Sequence, residues 1–374
     1  MKHALKLNWV GPWIPQRNLG QWKAASPAAM KWQKHMVDAL VVRGVDVHWT
    51  YYRPDPYWPR GRLLPRQSNR DELLPPFGNS EELSYVNLPV MRRYSLLRSC
   101  FKKSTEIPQQ KKIIISYNAP DWYLDVLFKI RSKLDVSWIC IVADDVAPKG
   151  ADGYIFLSYA YFEQFSETER KMHLDGGIYR TCRQKTNGQG FRVHKKRRFM
   201  YSGSLGKWGG VSTLLDALEL IDNDDFDVLI SGSGVSKENL LRMNRDARVK
   251  YLGIVDDTQL TEAYAATDIF LNPRPTRIVG GEYNFPSKIL DYLGWEKPII
   301  STWTDGLAPE YRHVLNVVDD NPEALAAEMM KDTQEVPKHI KIAEWGFRFN
   351  KTWHQQAGRL LRFIRQVCSD SSIT

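Results

Sequence analysis

Short apolar runs bounded by turn residues alternate with amphipathic stretches along most of this chain. Residues 113–117 and 138–143 have the composition of buried strands, while residues 27–43 carry apolar side chains at helical spacing and are followed by Gly44. Strand–helix alternation of this kind predicts parallel sheets covered by helices on both faces. The chain therefore has the pattern of an α/β protein with doubly wound, Rossmann-like sheets.

The alternation restarts after a basic tract at residues 193–198, which we interpret as a solvated hinge. A chain of 374 residues suits two domains of roughly 150–200 residues each. We expect an N-terminal domain over residues 1–195 and a second domain over 196–344. The long amphipathic pattern in residues 345–374 is expected to pack back on the first domain. Ligands of such folds bind at the carboxyl ends of the strands, so two facing domains predict a cleft between them.

Composition limits the class of protein. A hydrophobic fraction of 43% and a charged fraction of 25% are those of a globular protein. No run of about 18 apolar residues is present, which argues against a membrane-spanning helix, and the N-terminus lacks the features of a secretory signal. The four cysteines are far apart without metal-ligand spacing, so we expect a cytoplasmic protein without a structural metal.

The positive charge is concentrated in the first half of the chain. Residues 1–200 hold 33 Lys and Arg against 18 Asp and Glu, whereas residues 201–374 hold 19 against 25. Ordinary surface charge explains this imbalance as well as contact with an anionic partner does. Such a partner would be a membrane surface, a lipid-linked or acidic glycan acceptor, or nucleic acid. A proline-rich excursion at residues 52–80 is expected to form a long loop.

The segment from Asn272 to Asp291 has the strongest chemical signature. It leaves a strand at Asn272, passes a glycine pair at 280–281 and reaches Glu282 just before a helix that we expect to hold Pro286 in its first turn. A helix N-terminus presents unpaired amides, which suit a diphosphate. Glu282 and Asp291 then stand on either side of that position, where they can accept hydrogen bonds from ligand hydroxyls.

Three adjacent stretches, 285–288, 291–293 and 297–300, resemble the donor-binding motif of retaining GT-B glycosyltransferases, especially glycosyltransferase family 4. The resemblance implies that Glu282 and the residues after it contact the donor sugar, and that Asp291 holds the ribose. The family usually has two glutamates separated by seven residues; here eight residues separate Glu282 from an aspartate. The donor-binding residues expected in this segment are Arg274, Glu282, Tyr283, Asn284, Phe285, Pro286, Lys288 and Asp291.

The turn at residues 201–210 resembles the first strand and turn of the same family's donor domain, which adds Gly203 and Ser204 to the donor-binding set. The family often places an arginine and then a lysine here to neutralise the diphosphate. In this chain Ser204 takes the arginine's place and Lys207 is displaced from the lysine's. The cations available for the diphosphate are therefore Lys207, Arg274, Arg277 and Lys288, and we assign the catalytic roles to Glu282 and Lys207.

The first half resembles the family more weakly. Gly20, Asp145 and His173 correspond to landmarks on the acceptor side of the cleft. Four tryptophans, at positions 13, 49, 58 and 122, can stack on sugars or bases, although core packing is the commoner role.

The resemblance implies a retaining glycosyltransferase that needs no metal or other cofactor. Its donor would be a nucleotide-sugar, with UDP or GDP favoured, and its acceptor a hydroxyl of a glycan or lipid-linked molecule in surface polysaccharide or lipopolysaccharide synthesis. We expect it in the cytoplasm, with peripheral contact to an anionic membrane through the basic half. Two alternatives stay open: a glycosyltransferase acting on modified DNA bases, and a non-catalytic binder of sugar nucleotides or nucleic acid.

Overall fold

A computed structural model describes residues 5–14, 26–65, 79–106, 112–143, 146–166, 169–179, 196–276, 284–331 and 347–370. The chain divides into two compact units. The N-terminal unit comprises Met1–Leu157, Gln164–Gly176 and Trp353–Thr374, and the second unit comprises Ser158–Glu163 and Gly177–Thr352. The second unit therefore begins before the expected boundary at residue 195 and takes in a short earlier segment.

The N-terminal unit is built on a parallel sheet of seven strands in the order β3-β2-β1-β4-β5-β6-β7. Its strands are β1 (Lys6–Pro12), β2 (Asp46–Tyr52), β3 (Ser80–Glu82), β4 (Lys112–Tyr117), β5 (Val136–Val142), β6 (Gly153–Phe156) and β7 (Lys171–His173). The helices of this unit are α1 (Pro27–Val42), α2 (Pro89–Glu106), α3 (Asp121–Arg131) and, at the end of the chain, the helix Trp353–Asp370.

The second unit is built on a parallel sheet of six strands in the order β10-β9-β8-β11-β12-β13. Its strands are β8 (Arg197–Ser204), β9 (Phe226–Ser233), β10 (Val249–Gly253), β11 (Ile269–Asn272), β12 (Ile299–Thr302) and β13 (Asn316–Val318). The helices are α4 (Tyr159–Gln164), α5 (Val211–Glu219), α6 (Lys237–Arg245), α7 (Asp257–Ala265), α8 (Lys288–Leu293) and α9 (Pro322–Met330), so the Trp353–Asp370 helix is α10. The predicted α/β class with two doubly wound sheets is confirmed.

Aromatic side chains dominate the core of the N-terminal unit. Trp9 and Trp49 are almost completely buried, and helix α10 joins them through Trp353, whose ring lies edge-on to Trp32 at 5.9 Å between centroids. Trp13 is also in this core, 5.0 Å from Trp49. Large rings bury much area per side chain, so this contact fastens the end of the chain to the unit that contains its beginning.

The sheet of the second unit is buried on both faces. Leu214 and Leu218 of α5 pack on one face and Ile289 and Leu293 of α8 on the other. Strands covered on both sides are mainly apolar, as in β11, where three buried apolar residues precede the buried Asn272. This arrangement leaves the strand ends as the places where polar groups of the sheet reach the surface.

Two expectations about elements are wrong. The helix expected from residue 345 is interrupted. Residues 347–350 are helical, but the last helix begins only at Trp353, because Thr352 forms an isolated bridge with Ile178 and the Lys351 carbonyl accepts a hydrogen bond from the Ile178 amide at 2.8 Å. In the basic tract, Arg197 and its neighbour Arg198 belong to strand β8 rather than to a hinge. Pairing with β9 brings these residues into the sheet.

Candidate functional site

The candidate site of the second unit lies at the carboxyl ends of β8 and β11, which are neighbours in the sheet. Strand β8 ends at Gly203 and Ser204, and β11 ends at Asn272. In doubly wound sheets this edge is where ligands bind. Residues 201–207, 272–276 and 284–291, which come from segments far apart along the chain, therefore meet at this edge.

The turn after β8 is packed so closely that two of its positions admit only glycine. Gly210 has a φ of 83°, and a Cβ atom there would lie 1.7 Å from the carbonyl oxygen of Pro273. A Cβ atom on Gly209 would lie 1.8 Å from the Ser204 carbonyl oxygen. The Tyr201 hydroxyl lies 2.5 Å and 2.7 Å from the carbonyl oxygens of Ser204 and Gly209. The Tyr201 hydroxyl thus joins the two ends of the turn, Ser204 and Gly209.

The segment after β11 is fixed by side chains of its neighbours. The Thr302 hydroxyl, at the end of β12, donates to the Arg274 carbonyl oxygen. The amide and hydroxyl of Thr276 both donate to Asp320 Oδ2, at 2.7 Å and 3.0 Å. These bonds hold the backbone that carries the half-buried Arg274 side chain.

Lys288, the first residue of α8, points its ammonium group into this edge. Its Nζ lies 3.9 Å from the centre of the Tyr201 ring, and a Cβ atom on Gly203 would lie 3.2 Å from both Nζ and Cε. Among the described residues no carboxylate forms an ion pair with it. Burial, and secondly the positive charge of Arg274, lower the pKa of Lys288 to about 7. The Lys288 ammonium and the neighbouring Arg274 guanidinium give this edge positive charge, which favours an anion.

Lys207 lies elsewhere on the same turn. Its side chain is exposed and its Nζ stands 4.9 Å from the centre of the Trp208 ring. The Ser204 hydroxyl, in the position where the resembling family often has arginine, accepts a weak hydrogen bond of 3.4 Å from the Gly206 amide. The structure thus brings Lys288, rather than Lys207, against Tyr201 and Gly203.

The residues just before α8 pack against the segment after β12. The carbonyl oxygen of Asn284 accepts a hydrogen bond from the Thr304 hydroxyl at 3.1 Å, and the Phe285 ring lies 5.9 Å from that of Tyr311. Pro286 is buried but precedes the helix, because its carbonyl accepts from Ile289 in a tight turn before α8 begins. The prediction that Pro286 lies within the first helical turn is therefore wrong.

Asp291 lies half-buried in α8 next to a cluster of buried hydroxyls. Burial is the main cause of the raised pKa values of Tyr264 and Tyr292, and the charge of Asp291 adds to both. The Ser202 amide donates to the Tyr292 hydroxyl at 2.9 Å, and the Ser202 hydroxyl lies 2.5 Å from that of Tyr264. This cluster fastens α7 and α8 to the end of β8, so the position of Lys288 is set by buried polar contacts.

The remaining predicted site residues lie in the N-terminal unit or outside the described residues. His173 ends β7 in the N-terminal unit, where its carbonyl oxygen accepts a hydrogen bond of 3.1 Å from Arg359. Five residues lie outside the described part of the chain: Gly20, Asp145, Arg277, Glu282 and Tyr283.

Two residues of the site were missed by sequence reasoning. Tyr201 was read only as part of an apolar strand, although its hydroxyl and ring serve the turn and Lys288. Asn272 was read only as a strand end; it is fully buried, and its side-chain amide donates to Ser301 at 2.8 Å. A polar residue closing an apolar strand was the available signal for Asn272, whereas nothing in sequence distinguishes Tyr201.

The N-terminal unit has a pocket of about 240 Å³ at the carboxyl ends of β4 and β5. Asn118, with a left-handed φ of 54°, lines it and accepts a hydrogen bond from the Ala143 amide at 2.9 Å. Asp121 of α3 also lines it. A shallower crevice beside it is lined by Tyr52 and Trp122, whose rings meet edge-on at 5.3 Å. The pocket itself is lined by polar and aliphatic groups, and aromatic rings line only the adjacent crevice.

No group of three or more His, Cys, Asp or Glu side chains suited to a metal ion occurs within the described ranges. In the same ranges no helix has both the length and the apolar character needed to cross a bilayer.

Comparison with known proteins gives the site its family context. Residues 196–332 match the family Glycosyl transferases group 1. No curated protein sequence matches the chain.

Similar solved structures span almost the whole chain. Sucrose-phosphate synthase from Thermosynechococcus elongatus has a TM-score of 0.67 at 14% identity, covering 98% of this chain and 100% of its own. The N-terminal domain of Candida albicans trehalose-6-phosphate phosphatase has a TM-score of 0.71 at 10% identity, with 98% of each chain covered. The lipopolysaccharide outer core galactosyltransferase WaaB has a TM-score of 0.65 at 13% identity, covering 97% of this chain and 99% of its own. With its group 1 domain and this fold, the chain is a glycosyltransferase of GT-B architecture.

Proposed function

We propose that the chain is a retaining glycosyltransferase of the family 4 type that uses a nucleoside-diphosphate sugar without a metal ion. The observation that carries this proposal is the Lys288 ammonium at the carboxyl edge of β8 and β11, beside Arg274 and against a glycine. A diphosphate entering there would meet the positive charge of Lys288 and Arg274. It would also find a backbone that Gly203 leaves open to close approach.

The donor is held by its phosphates and hydroxyls together in this proposal. Lys288 and Arg274 contact the diphosphate, Asp291 accepts hydrogen bonds from the ribose, and Glu282 accepts them from the transferred sugar. Lys207 stands on the same turn and is available to the outer phosphate. UDP or GDP is the expected nucleotide, although the family match does not distinguish one base from another.

The transfer needs charge stabilisation more than it needs a protein nucleophile. The anomeric carbon–oxygen bond to the phosphate breaks while the acceptor oxygen bonds to the anomeric carbon on the same face. The acceptor proton passes to the departing phosphate oxygen. Negative charge on the leaving diphosphate increases in the transition state, and the cations at Lys288 and Arg274 are placed to stabilise it. This is why we expect no requirement for a divalent metal.

The acceptor in this proposal binds the N-terminal unit. The pocket lined by Asn118 and Asp121 supplies a carboxylate and an amide to hydroxyl groups, and Tyr52 and Trp122 supply rings for a sugar face. Gly20, Asp145 and His173 stay candidates for this side. A glycan or lipid-linked acceptor in surface polysaccharide or lipopolysaccharide synthesis fits the polar pocket and the positive first half.

A thermal-shift panel of UDP-, GDP-, ADP-, CMP- and TDP-sugars in EDTA tests the donor assignment, because a ligand that binds only the folded state raises its stability. We expect one nucleotide to raise the melting temperature in wild type and to lose most of that effect in Lys288→Met. Lys250→Met, at an exposed lysine of β10 that has no role in the proposal, is the matched control. A shift that appears only with added Mg²⁺ would refute the metal-independent mechanism.

Turnover then separates an enzyme from a binder. Nuclear magnetic resonance of the transferred sugar, or of the free sugar released by slow donor hydrolysis, reports the first anomer formed. Retention is the expected result, and inversion would contradict it. Donor hydrolysis in wild type that is lost in Glu282→Ala excludes a non-catalytic binding protein.

A further inference from the structure

Exposed apolar side chains gather on two segments of the N-terminal unit, residues 57–64 and the first turns of α2. Val90 is 84% exposed and Tyr94 68% exposed, values unusual for large apolar residues. We call the whole group the α2 surface. Its exposed apolar members are Tyr57, Trp58, Leu63, Leu64, Val90, Met91 and Tyr94.

Hydrogen bonds and a cation–π contact join the two segments into one surface. The Trp58 amide donates to the Asn87 carbonyl at 3.0 Å, and the Asn87 amide donates to the Leu63 carbonyl at 2.8 Å. The Arg92 guanidinium lies 5.0 Å from the centre of the Tyr57 ring. Asn87 is completely buried and also donates its side-chain amide to loop carbonyls. The exposed side chains are thus presented by a backbone that is held in place.

Positive charge accompanies the apolar side chains. Val90, Tyr94, Arg98 and Lys102 are all exposed and follow one another at four-residue spacing, so they form a single stripe along α2. Between residues 83 and 105 the sequence contains no acidic residue. The stripe begins with apolar groups and continues with cations, and the opposite face is buried through residues such as Leu96.

We propose that the α2 surface docks this protein on an anionic lipid bilayer. Tryptophan, tyrosine and aliphatic side chains lower their free energy at the boundary between headgroups and acyl chains, while Arg and Lys pair with lipid phosphates. A nucleic acid would use the cations and stack on the rings. A nucleic acid has no apolar region that would bury the aliphatic side chains of Leu63, Leu64, Val90 and Met91.

The α2 surface begins at the edge of the sheet that holds the pocket of the N-terminal unit. Tyr52, the last residue of β2, lines the crevice, and the chain passes through Arg53 directly into the exposed segment. A bilayer bound there would present headgroups beside the pocket. That consequence rests on the proposed function and favours a lipid-linked acceptor, whereas docking itself is independent of donor or acceptor.

Flotation with vesicles tests docking directly. We would use the full chain with phosphatidylcholine vesicles containing about 30% phosphatidylglycerol, and with pure phosphatidylcholine as a neutral comparison. The variant Val90→Ser/Tyr94→Ser removes the apolar tip, and Arg98→Glu/Lys102→Glu reverses the charge. The matched controls are Ile254→Ser, which alters another highly exposed apolar residue, and Lys250→Glu, both in the second unit.

We expect wild type to float with anionic vesicles and the apolar variant to partition about tenfold less. The charge-reversed variant should partition onto the vesicles at least about fivefold less for each charge reversed, and the decrease should be largest at low salt. Both variants should keep the wild-type melting temperature and its shift with the donor nucleotide. A failure of docking is thereby distinguished from a failure of the proposed function.

Two outcomes would overturn the proposal. The first is that wild type does not bind anionic vesicles at low salt. The second is that the control variants lose vesicle binding as much as the α2 variants do. Salt-sensitive binding to duplex DNA that Arg98→Glu/Lys102→Glu abolishes, without vesicle binding, would assign the α2 surface to nucleic acid.

Discussion

Replacing Lys288 by methionine isolates the charge on which the proposed donor site depends. Methionine keeps a long unbranched side chain that can lie over Tyr201 and beside Gly203, so the packing changes little. Because burial already disfavours the charged form of Lys288, its removal should not weaken the fold. The variant is therefore expected to fold at least as stably as the wild type.

The loss in nucleotide affinity is set by one charge-assisted contact in a partly buried site. Hydrogen bonds to charged groups contribute about 1.5–3 kcal/mol, which corresponds to roughly 10- to 150-fold in the dissociation constant. Lys288 is partly exposed by surface area, and solvent reduces the interaction. The lower part of that range, about 10- to 30-fold, is the expected effect.

Isothermal titration calorimetry of UDP and GDP, with EDTA present and below pH 7, measures the effect. Lys250→Met is the control because its side chain is exposed and it has no role in the proposed site. We expect a change of less than about fivefold for this control. A Lys288→Met protein that melts like wild type and binds the preferred nucleotide within about threefold of it would refute the argument.

Four further outcomes follow from the structure. Since the pKa of Lys288 is lowered to about 7, the free protein loses this charge above that pH. Above pH 7 the affinity for the nucleotide should therefore fall by up to about tenfold per pH unit. Calorimetry should show this fall in wild type but not in Lys288→Met. The unfolded chain binds the extra proton between pH 7 and 10.5, so this residue makes the free energy of unfolding rise with pH in that window. In urea denaturation, Gly210→Ala should cost more than about 3 kcal/mol because its Cβ meets a carbonyl oxygen, whereas Gly44→Ala, with a similar φ and open space, should cost about 1 kcal/mol. Trp353→Ala should lower the free energy of unfolding by about 3–5 kcal/mol, and a loss below about 1 kcal/mol would contradict the packing of α10 on α1.

The strands of the sheets were predictable because a parallel strand covered on both faces needs a continuous apolar run. Strand β11 ends at the predicted Asn272, and β4 differs from the predicted range of 113–117 by one residue. Helix α2 was not predicted. Its buried positions, including Leu96 and Cys100, are spread among Arg, Lys and Ser residues, and only packing against α3 identifies the inward face.

The sequence alone determined the fold class and predicted that two short segments, 201–207 and 282–291, belong to one donor site. It did so because apolar periodicity and turn chemistry are local properties. Which cation lies against Tyr201 and Gly203 was decided by tertiary structure. The ammonium of Lys288 reaches Tyr201 and Gly203 only through the pairing of β8 with β11 and the packing of α8. Its lowered pKa arises from burial and from Arg274, neither of which a linear sequence displays.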